Sequence, residues 1–328
     1  MKESKRRLKE SQTNGTLIQV AHLYYDKNLS QQEIADRLKV SRSLIAQYLL
    51  RAKKSGIVQI RIMDPDDSCA DLANLLRKAS GIRDIVVVPT LRGSPMLALQ
   101  AVTGAAADFI AGHLRDGNTF GLAWGRTTSA VVDQLKIPHA RNVDIVPLMG
   151  ESGHSGLYSQ MNQLVMRAAE HLRATPGFLS LPVVVSSPEL RGILLKESGI
   201  RDIVEKWNFV DLACVGIGVV PPVPGMIVYL GDKYIPNLLE AGAVGDICGT
   251  YFDRNGKIVA SGLENRMIAM NVTQMKAVKC MAAVACGEDK AVAVLGAMRT
   301  GMISALFIDQ NMAERILAEI RTAGTRGK

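Results

Sequence analysis

The sequence predicts an α/β protein in two parts: an N-terminal helix-turn-helix domain over residues 1–62, then a doubly wound, mostly parallel α/β domain over residues 63–328. Three observations predict it. Excess positive charge is confined to the first fifth of the chain, two short capped helices follow one another there, and from about residue 64 apolar runs of five to eight residues alternate with helical segments.

The 328 residues are 48% hydrophobic and 21% charged, a globular composition that excludes disorder throughout. Residues 1–61 hold thirteen Lys or Arg against five acids, and the rest of the chain holds 26 of each, so the net charge of +8 belongs to the head. Such a block attracts a polyanion and makes binding salt-sensitive; nucleic acid is the first candidate, an anionic membrane surface the competitor. The apolar stretches are cut at Asp211, at Pro221 and Pro222, or from Glu288 to Lys290, so none gives the roughly 20 apolar residues of a membrane span. The start, MKESKRRLKES, lacks the apolar stretch of a secretory signal, and a cytoplasmic location is expected. Cys69, Cys214, Cys248, Cys280 and Cys286 form no C-x-x-C pair and are expected as reduced thiols. The five histidines include no i, i+4 pair, and neither a metal nor a cofactor is expected.

In the head, Leu17, Val20, Ala21 and Tyr24 have helical spacing. Ser30 with Glu33 forms a capping box that opens a second helix carrying Ile34, Ala35 and Leu38. Ser41 is an N-cap for a third helix, Arg42 to about Lys54, which Ser55 and Gly56 end. Ala35 is the small residue where the helices cross, and Ile34, Leu38, Val40, Ile45 and Tyr48 supply the packing. Lys39 stands in the turn where Gly is usual, at a cost of roughly 1 kcal/mol for a left-handed backbone. Placed in a major groove, the third helix presents Ser41, Arg42, Ser43 and Gln47, with Arg51 a turn further on. Arg42 matches guanine O6 and N7, Gln47 matches adenine, and the serines match phosphate or base. For Arg51, Lys53 and Lys54 a solvated face near the helix C-terminus is the competing explanation. The stretch Ile57, Val58, Ile60 and Ile62 reads as a short strand, either a wing or an exit to the body.

The body reads as strands at Asp84–Pro89, Thr119–Trp124, Val143–Met149, Leu181–Val185, Asp211–Ile217, Ile247–Phe252, Met281–Cys286 and Ala305–Asp309. Helices fall at Pro95–His113, Thr127–Leu135, Ser159–Ala174, Pro188–Glu197, Lys290–Met298 and Asn311–Arg321. The stretch Pro65–Ser80 is a helix that either associates subunits or packs on its own body. Ligands of such sheets bind where strands hand over to helices. Two junctions have the chemistry. Gly125, Arg126, Thr127 and Thr128 offer backbone donors, hydroxyls and a guanidinium suited to a phosphate; Cys286 and Gly287 lead to Lys290, whose ammonium suits the same phosphate or another ligand oxygen. Neither junction is G-x-G-x-x-G or Walker A, and glycines that only make tight turns remain the bland alternative.

These residues, in this order, resemble the SorC family of bacterial sugar-responsive transcriptional regulators over nearly the whole chain: AHLYYDKNLSQQEIADRLKVSRSLIAQYL in the head, then GLAWGRT, DLACVGIG, GAVGDICGTYFDRNG and CGEDKAVAVLGAMRTGMISALFID. The resemblance implies a body like that of sugar-phosphate isomerases. It implies a phosphorylated sugar or polyol effector that alters binding of double-stranded operator DNA by a homo-oligomer, a dimer or tetramer. Carried over by position, it puts Gly125, Arg126, Thr127 and Thr128 at the phosphate, adds Lys290 there, and makes Asp246 an acceptor for ligand hydroxyls. The loop after Gly150 and the helix with Asn162 would close the pocket. Cys286 and Gln310 depart from the family pattern, which has Gly and Glu there.

The reading is a regulator without catalytic residues. Its competitors are an isomerase-like enzyme fused to a DNA-binding head, using Asp246 and Lys290 as acid and base, and a DNA-binding protein with no effector.

Overall fold

A computed structural model describes residues 15–27, 29–58, 68–90, 94–152, 160–221 and 234–325. The chain divides into two compact units, Met1–Pro65 and Asp66–Lys328. The boundary expected after residue 62 lies outside the described residues.

In the first unit, residues 15–21 are helical (α1) and continue into one widened π turn, His22–Asp26. The turn closes with the Lys27 N–H donating to the His22 carbonyl at 3.1 Å. Leu23, Tyr24 and Tyr25 pack on a core of Val20, Ile34, Ala35, Ile45 and Leu49, with the two tyrosine rings edge to face at 4.9 Å. α2 (Gln31–Leu38) has both arms of the capping box: the Glu33 N–H donates to Ser30 Oγ at 3.2 Å and the Ser30 N–H to Glu33 Oε2 at 2.7 Å. It ends at Lys39, left-handed at φ 55° and ψ 46°. Ser41 then caps α3 (Arg42–Lys54), accepting from the Leu44 N–H at 3.3 Å. Ile57 and Val58 lie in no strand, and the rest of the stretch expected to form a wing or exit lies outside the described residues.

The second unit opens with α4 (Ser68–Ser80), which buries Ala73 and Leu76 in the core of its own unit. There follow β1 (Asp84–Val88), α5 (Pro95–His113), β2 (Thr119–Leu122), α6 (Arg126–Val132), β3 (Asp144–Pro147), α7 (Met161–Leu172), β4 (Thr175–Pro176), α8 (Pro188–Leu194), α9 (Ser198–Lys206) and β5 (Leu212–Gly216). Then come β6 (Gly218–Val219), α10 (Ile235–Glu240), β7 (Ala243–Ile247), β8 (Thr250–Asp253), β9 (Ile258–Val259), α11 (Val272–Ala277), β10 (Cys280–Val284), α12 (Ala291–Arg299), β11 (Ala305–Asp309) and α13 (Gln310–Thr325). Seven strands form a parallel sheet in the order β1-β11-β10-β5-β2-β3-β4.

Strand alternation divides the interior in two. Met281, Ala283, Leu306 and Ile308 face a core completed by α4, α12 and α13; Cys280, Ala282, Val284, Ala305 and Phe307 face one completed by α5, α6 and α7. Helices therefore cover both faces, the doubly wound arrangement. α5 is, among the described residues, the one helix long and apolar enough to cross a membrane by length and composition, although Asp108 interrupts its apolar run. Here its Ala98, Val102, Ala106, Ala107 and Ile110 are buried.

Two expected strands are corrected. Leu181–Val185 forms only isolated bridges, Pro182 with Glu151 and Val184 with Met267. Pro182 has no N–H to give a continuous ladder. Ile247–Phe252 is not one strand but the tip of the β7–β8 hairpin, where Cys248 (φ 50°) and Gly249 (φ 74°) make a two-residue turn with positive φ at both positions. The hairpin belongs to a second, antiparallel sheet, β6-β7-β8-β9. Its approach is close: a Cβ at Gly245 would stand 2.6 Å from the Gly218 carbonyl oxygen and 2.8 Å from Ala293 Cβ.

The left-handed Lys39 gives a first prediction. Lys39→Gly removes the Cβ clash, partly offset by added unfolded-state entropy, and stabilises the head by up to about 1 kcal/mol. Slower amide exchange of Ile45 and Leu49 in the full chain measures it.

Candidate functional site

The sheet order fixes where a ligand site belongs. The connection leaving β2 runs to β3 on one side, and the connections leaving β5 and β10 run to β10 and β11 on the other. The carboxyl ends of β2 and β5 therefore flank the switch-point crevice of a doubly wound sheet.

On one wall, β2 ends at Leu122 and α6 starts at Arg126, with Gly125 as its N-cap at φ 151°. Trp124 Nε1 donates to the Gly150 carbonyl at 3.1 Å, tying this loop to the end of β3. The first-turn N–H groups of α6 have no intrahelical acceptors and carry the positive end of the helix. Arg126 is exposed and Thr127 half-buried. Thr128 is fully buried, and its hydroxyl donates to the Gly125 carbonyl at 3.0 Å, so it shapes the turn.

The facing wall comes from the loop after β10. Gly287 adopts φ 99°, where a Cβ would stand 2.6 Å from Asp289 Oδ1, and its N–H donates to Asp309 Oδ2 at 2.9 Å. The buried Asp309 also accepts the Met312 N–H at 3.1 Å, so one carboxylate pins the loop to the start of α13. A single turn, Glu288–Lys290, then aims Lys290 across β5: Nζ donates to the Ile217 carbonyl at 3.3 Å. Burial, and next the Arg126 guanidinium, hold this ammonium below the usual lysine value, with Asp289, Asp246 and Cys286 acting in the opposite sense. Two cations thus repel each other within one crevice, which favours an anion between them.

Asp246 arrives from the second sheet, opposite Gly218 in the β6–β7 pairing, and β6 follows β5 almost at once. Asp246 is 5% exposed; Oδ2 accepts the Gly249 N–H at 3.0 Å and the buried Oδ1 has no hydrogen-bond partner. Burial pushes the carboxyl up to about 6, against the pull of the Gly249 N–H and the Lys290 charge. An unsatisfied buried oxygen is costly, and a hydrogen-bond donor that reaches it would satisfy it. Cys286 is pushed up to about 12 by burial and then by Asp309, so it is a protonated thiol rather than a nucleophile. Among the described residues no group of three or more His, Cys, Asp or Glu could hold a metal ion.

Two neighbours expected to close the site have other partners or fall outside the described residues. Asn162 accepts the Leu179 N–H at 3.0 Å and donates to Ser180 Oγ at 3.2 Å. Residues 153–159 of the loop after Gly150 are outside the described residues. Sequence reasoning missed Glu151, whose two oxygens accept the Met161 and Asn162 N–H groups at 2.6 and 2.9 Å. The start of α7 is thereby filled by a carboxylate of this chain.

On the head, Arg42, Ser43, Gln47 and Arg51 are exposed along α3, opposite the buried Ile45, Leu49 and Ala52. Ser41 is exposed too, but its hydroxyl caps the helix and lies 3.0 Å from Ser43 Oγ. The same face exposes Ala46 and Leu50, which the sequence reading did not select.

Residues 64–318 match the model of a putative sugar-binding domain, and residues 20–59 match a winged helix-turn-helix DNA-binding model. A DNA-binding head joined to a sugar-binding body defines the class: a sugar-binding transcriptional regulator. The chain is 28% identical over 305 residues to the deoxyribonucleoside regulator of Bacillus subtilis (strain 168), covering 92% of this chain and 97% of that protein. It is 26% identical over 305 residues to the sorbitol operon regulator of Klebsiella pneumoniae, covering 92% and 97%. The crystal structure of that full-length regulator, SorC, superposes with a TM-score of 0.81 over 92% of this chain and 98% of its own, at 26% identity. This chain belongs to the SorC family.

Asp246 gives the second prediction. Its folded value, about 6, lies above the 3.8 of an ordinary Asp, so its contribution to stability is complete below about pH 4 and is lost as pH rises through about 6. Asp246→Asn removes that loss. Relative to the parent, the variant gains stability between pH 4 and 6 and is more stable at pH 7 by about 3 kcal/mol. Denaturant titrations at pH 4, 6 and 7 measure it.

Proposed function

We propose that the crevice senses a phosphorylated sugar or polyol, and that occupancy changes the affinity of the head for double-stranded operator DNA. The observation that carries this is the meeting of Arg126, Lys290 and the half-satisfied Asp246 carboxylate at one switch point. The first-turn N–H groups after Gly125, the Thr127 hydroxyl, Arg126 and Lys290 take the phosphate. Thr128 holds the turn that presents them, and Asp246 accepts a hydroxyl of the carbon chain. On the DNA, Arg42 and Gln47 read bases, while Ser41, Ser43 and Arg51 hold phosphate or base. The names of the two relatives, one a deoxyribonucleoside regulator and one a sorbitol operon regulator, support a sugar or polyol as effector.

A ligand joining Asp246 to Arg126 and Lys290 bridges the antiparallel sheet and the parallel one. It shifts DNA affinity only by favouring one arrangement of subunits over another, so the working form is a homo-oligomer, a dimer or tetramer, acting in the cytoplasm. Asp246 beside Lys290 is also the pair an isomerase would use. We assign the pair to binding, because related chains are named as regulators. Product formation from sugar phosphates by the purified chain would reverse that assignment.

The direct test is affinity at fixed salt for a labelled fragment from upstream of the chain's own transcription unit, with and without a pool of sugar phosphates. A shift in either direction is expected, and tight binding that ignores the pool removes the effector reading. Lys290→Ala weakens the ligand response about 10- to 100-fold, the worth of a hydrogen bond to a charged group. The emission of Trp124, which directly precedes Gly125, measures it. Arg42→Ala costs about 1–3 kcal/mol of operator affinity and relaxes preference at one base, whereas equal loss on all DNA would make Arg42 a phosphate contact.

A further inference from the structure

The exposed face of α3 is two parallel rows with i, i+4 spacing. One runs Ser43, Gln47, Arg51, and the other runs Arg42, Ala46, Leu50. The second row is unusual for a surface helix. Leu50 is 54% exposed, while Ile45 and Leu49 of the same helix are 0% and 5% exposed, and Ala46 is exposed beside it. The apolar pair sits between Arg42 at one end of the row and Arg51, Lys53 and Lys54 around the other. A partner that covers this face must therefore be a polyanion that presents an apolar spot.

We propose that Leu50 and Ala46 read the C5-methyl group of thymine in the major groove, as specificity-determining contacts beside Arg42 and Gln47. The proposal rests on the reading that α3 enters that groove. Among the base edges displayed there, the thymine methyl is the one apolar group; the others are hydrogen-bond donors and acceptors. A leucine side chain laid over a donor or acceptor takes it out of water without replacing the lost hydrogen bond, whereas over a methyl it buries apolar surface. Arg42 to Leu50 spans about 12 Å of helix axis, so the row crosses between three and four base steps of about 3.4 Å. The polar choices on the face are already limited. The Ser41 hydroxyl is committed to the cap and lies 3.0 Å from Ser43 Oγ, which leaves Arg42, Gln47 and Arg51 as the long polar side chains of the face, with the two apolar residues beside them.

The test uses the full chain and the fragment from upstream of its own transcription unit. Once the bound site is located by footprinting, each thymine in it is replaced singly by uracil, which removes only the methyl group, and affinities are compared at fixed salt. At one or two positions uracil is expected to weaken binding about fourfold, the equivalent of about 0.8 kcal/mol for one buried methyl. In Leu50→Ala that penalty disappears at the position Leu50 reads, a loss of discrimination that a general loss of binding does not mimic. Leu50 is exposed, so the variant folds, and Leu50→Met, which keeps an apolar contact, retains part of the penalty. Tight binding of the unmodified site with uracil tolerated at every position overturns the proposal and assigns Leu50 to contact with protein, such as a second copy of the head. Absence of sequence-specific binding to any upstream fragment overturns the reading of the head itself, a distinct result.

Discussion

Connections that diverge from two adjacent parallel strands cannot both cover the space above the strand ends, and the body of this chain is organised around that gap. The chain leaves β2 toward β3 and leaves β5 toward β10. The connection that leaves each of these strand ends turns away from the other, so side chains from the loops that rim the gap converge there. Three parts of the chain far apart in sequence use it: the turn into α6, the turn before α12, and the hairpin strand β7. Lys290 reaches the Ile217 carbonyl because β10 lies next to β5, and Asp246 stands near the same carbonyl because β6 follows β5 almost directly and pairs with β7.

The charges gathered there are kept at a cost. Arg126 and Lys290 raise each other's free energy, and Asp246 loses water without filling both oxygens. The two clusters on either side of the sheet close on apolar side chains, with none of these three charged groups among them. Elsewhere the chain spends its charged groups on local closure. Glu151 fills the start of α7, and Asp309 accepts from both Gly287 and Met312. The contrast separates carboxylates whose oxygens complete the structure from Asp246, whose Oδ1 has no hydrogen-bond partner. The head shows the same contrast among apolar residues, with Ile45 buried and Leu50 left in solvent.

Because Asp246 belongs to the antiparallel sheet and the cations to loops of the parallel one, a ligand that touches all three joins two parts of the body. That gives binding energy a structural consequence, which a regulator requires and a passive binder does not.

Much of this was legible in the residues. The capping box at Ser30 and Glu33, the N-cap at Ser41, the left-handed Lys39 and the bounds of Pro95–His113 are local matters, set within four residues or by one hydrophobic period, and the sequence alone determined them. So were the two strand-to-helix turns at Gly125 and Gly287, because a glycine at a strand end followed by a helix start is itself a local pattern. The hairpin at Cys248 and Gly249 was not legible. An apolar run reads the same whether it continues or turns back, and what decides is the partner strand and the close approach of Gly245 to Gly218 and Ala293. Nor could spacing show that Thr128 serves its own turn, that Glu151 closes α7, or that Leu50 faces solvent while Leu49 does not. Periodicity names the face of an element, and only tertiary packing decides what, if anything, that face meets.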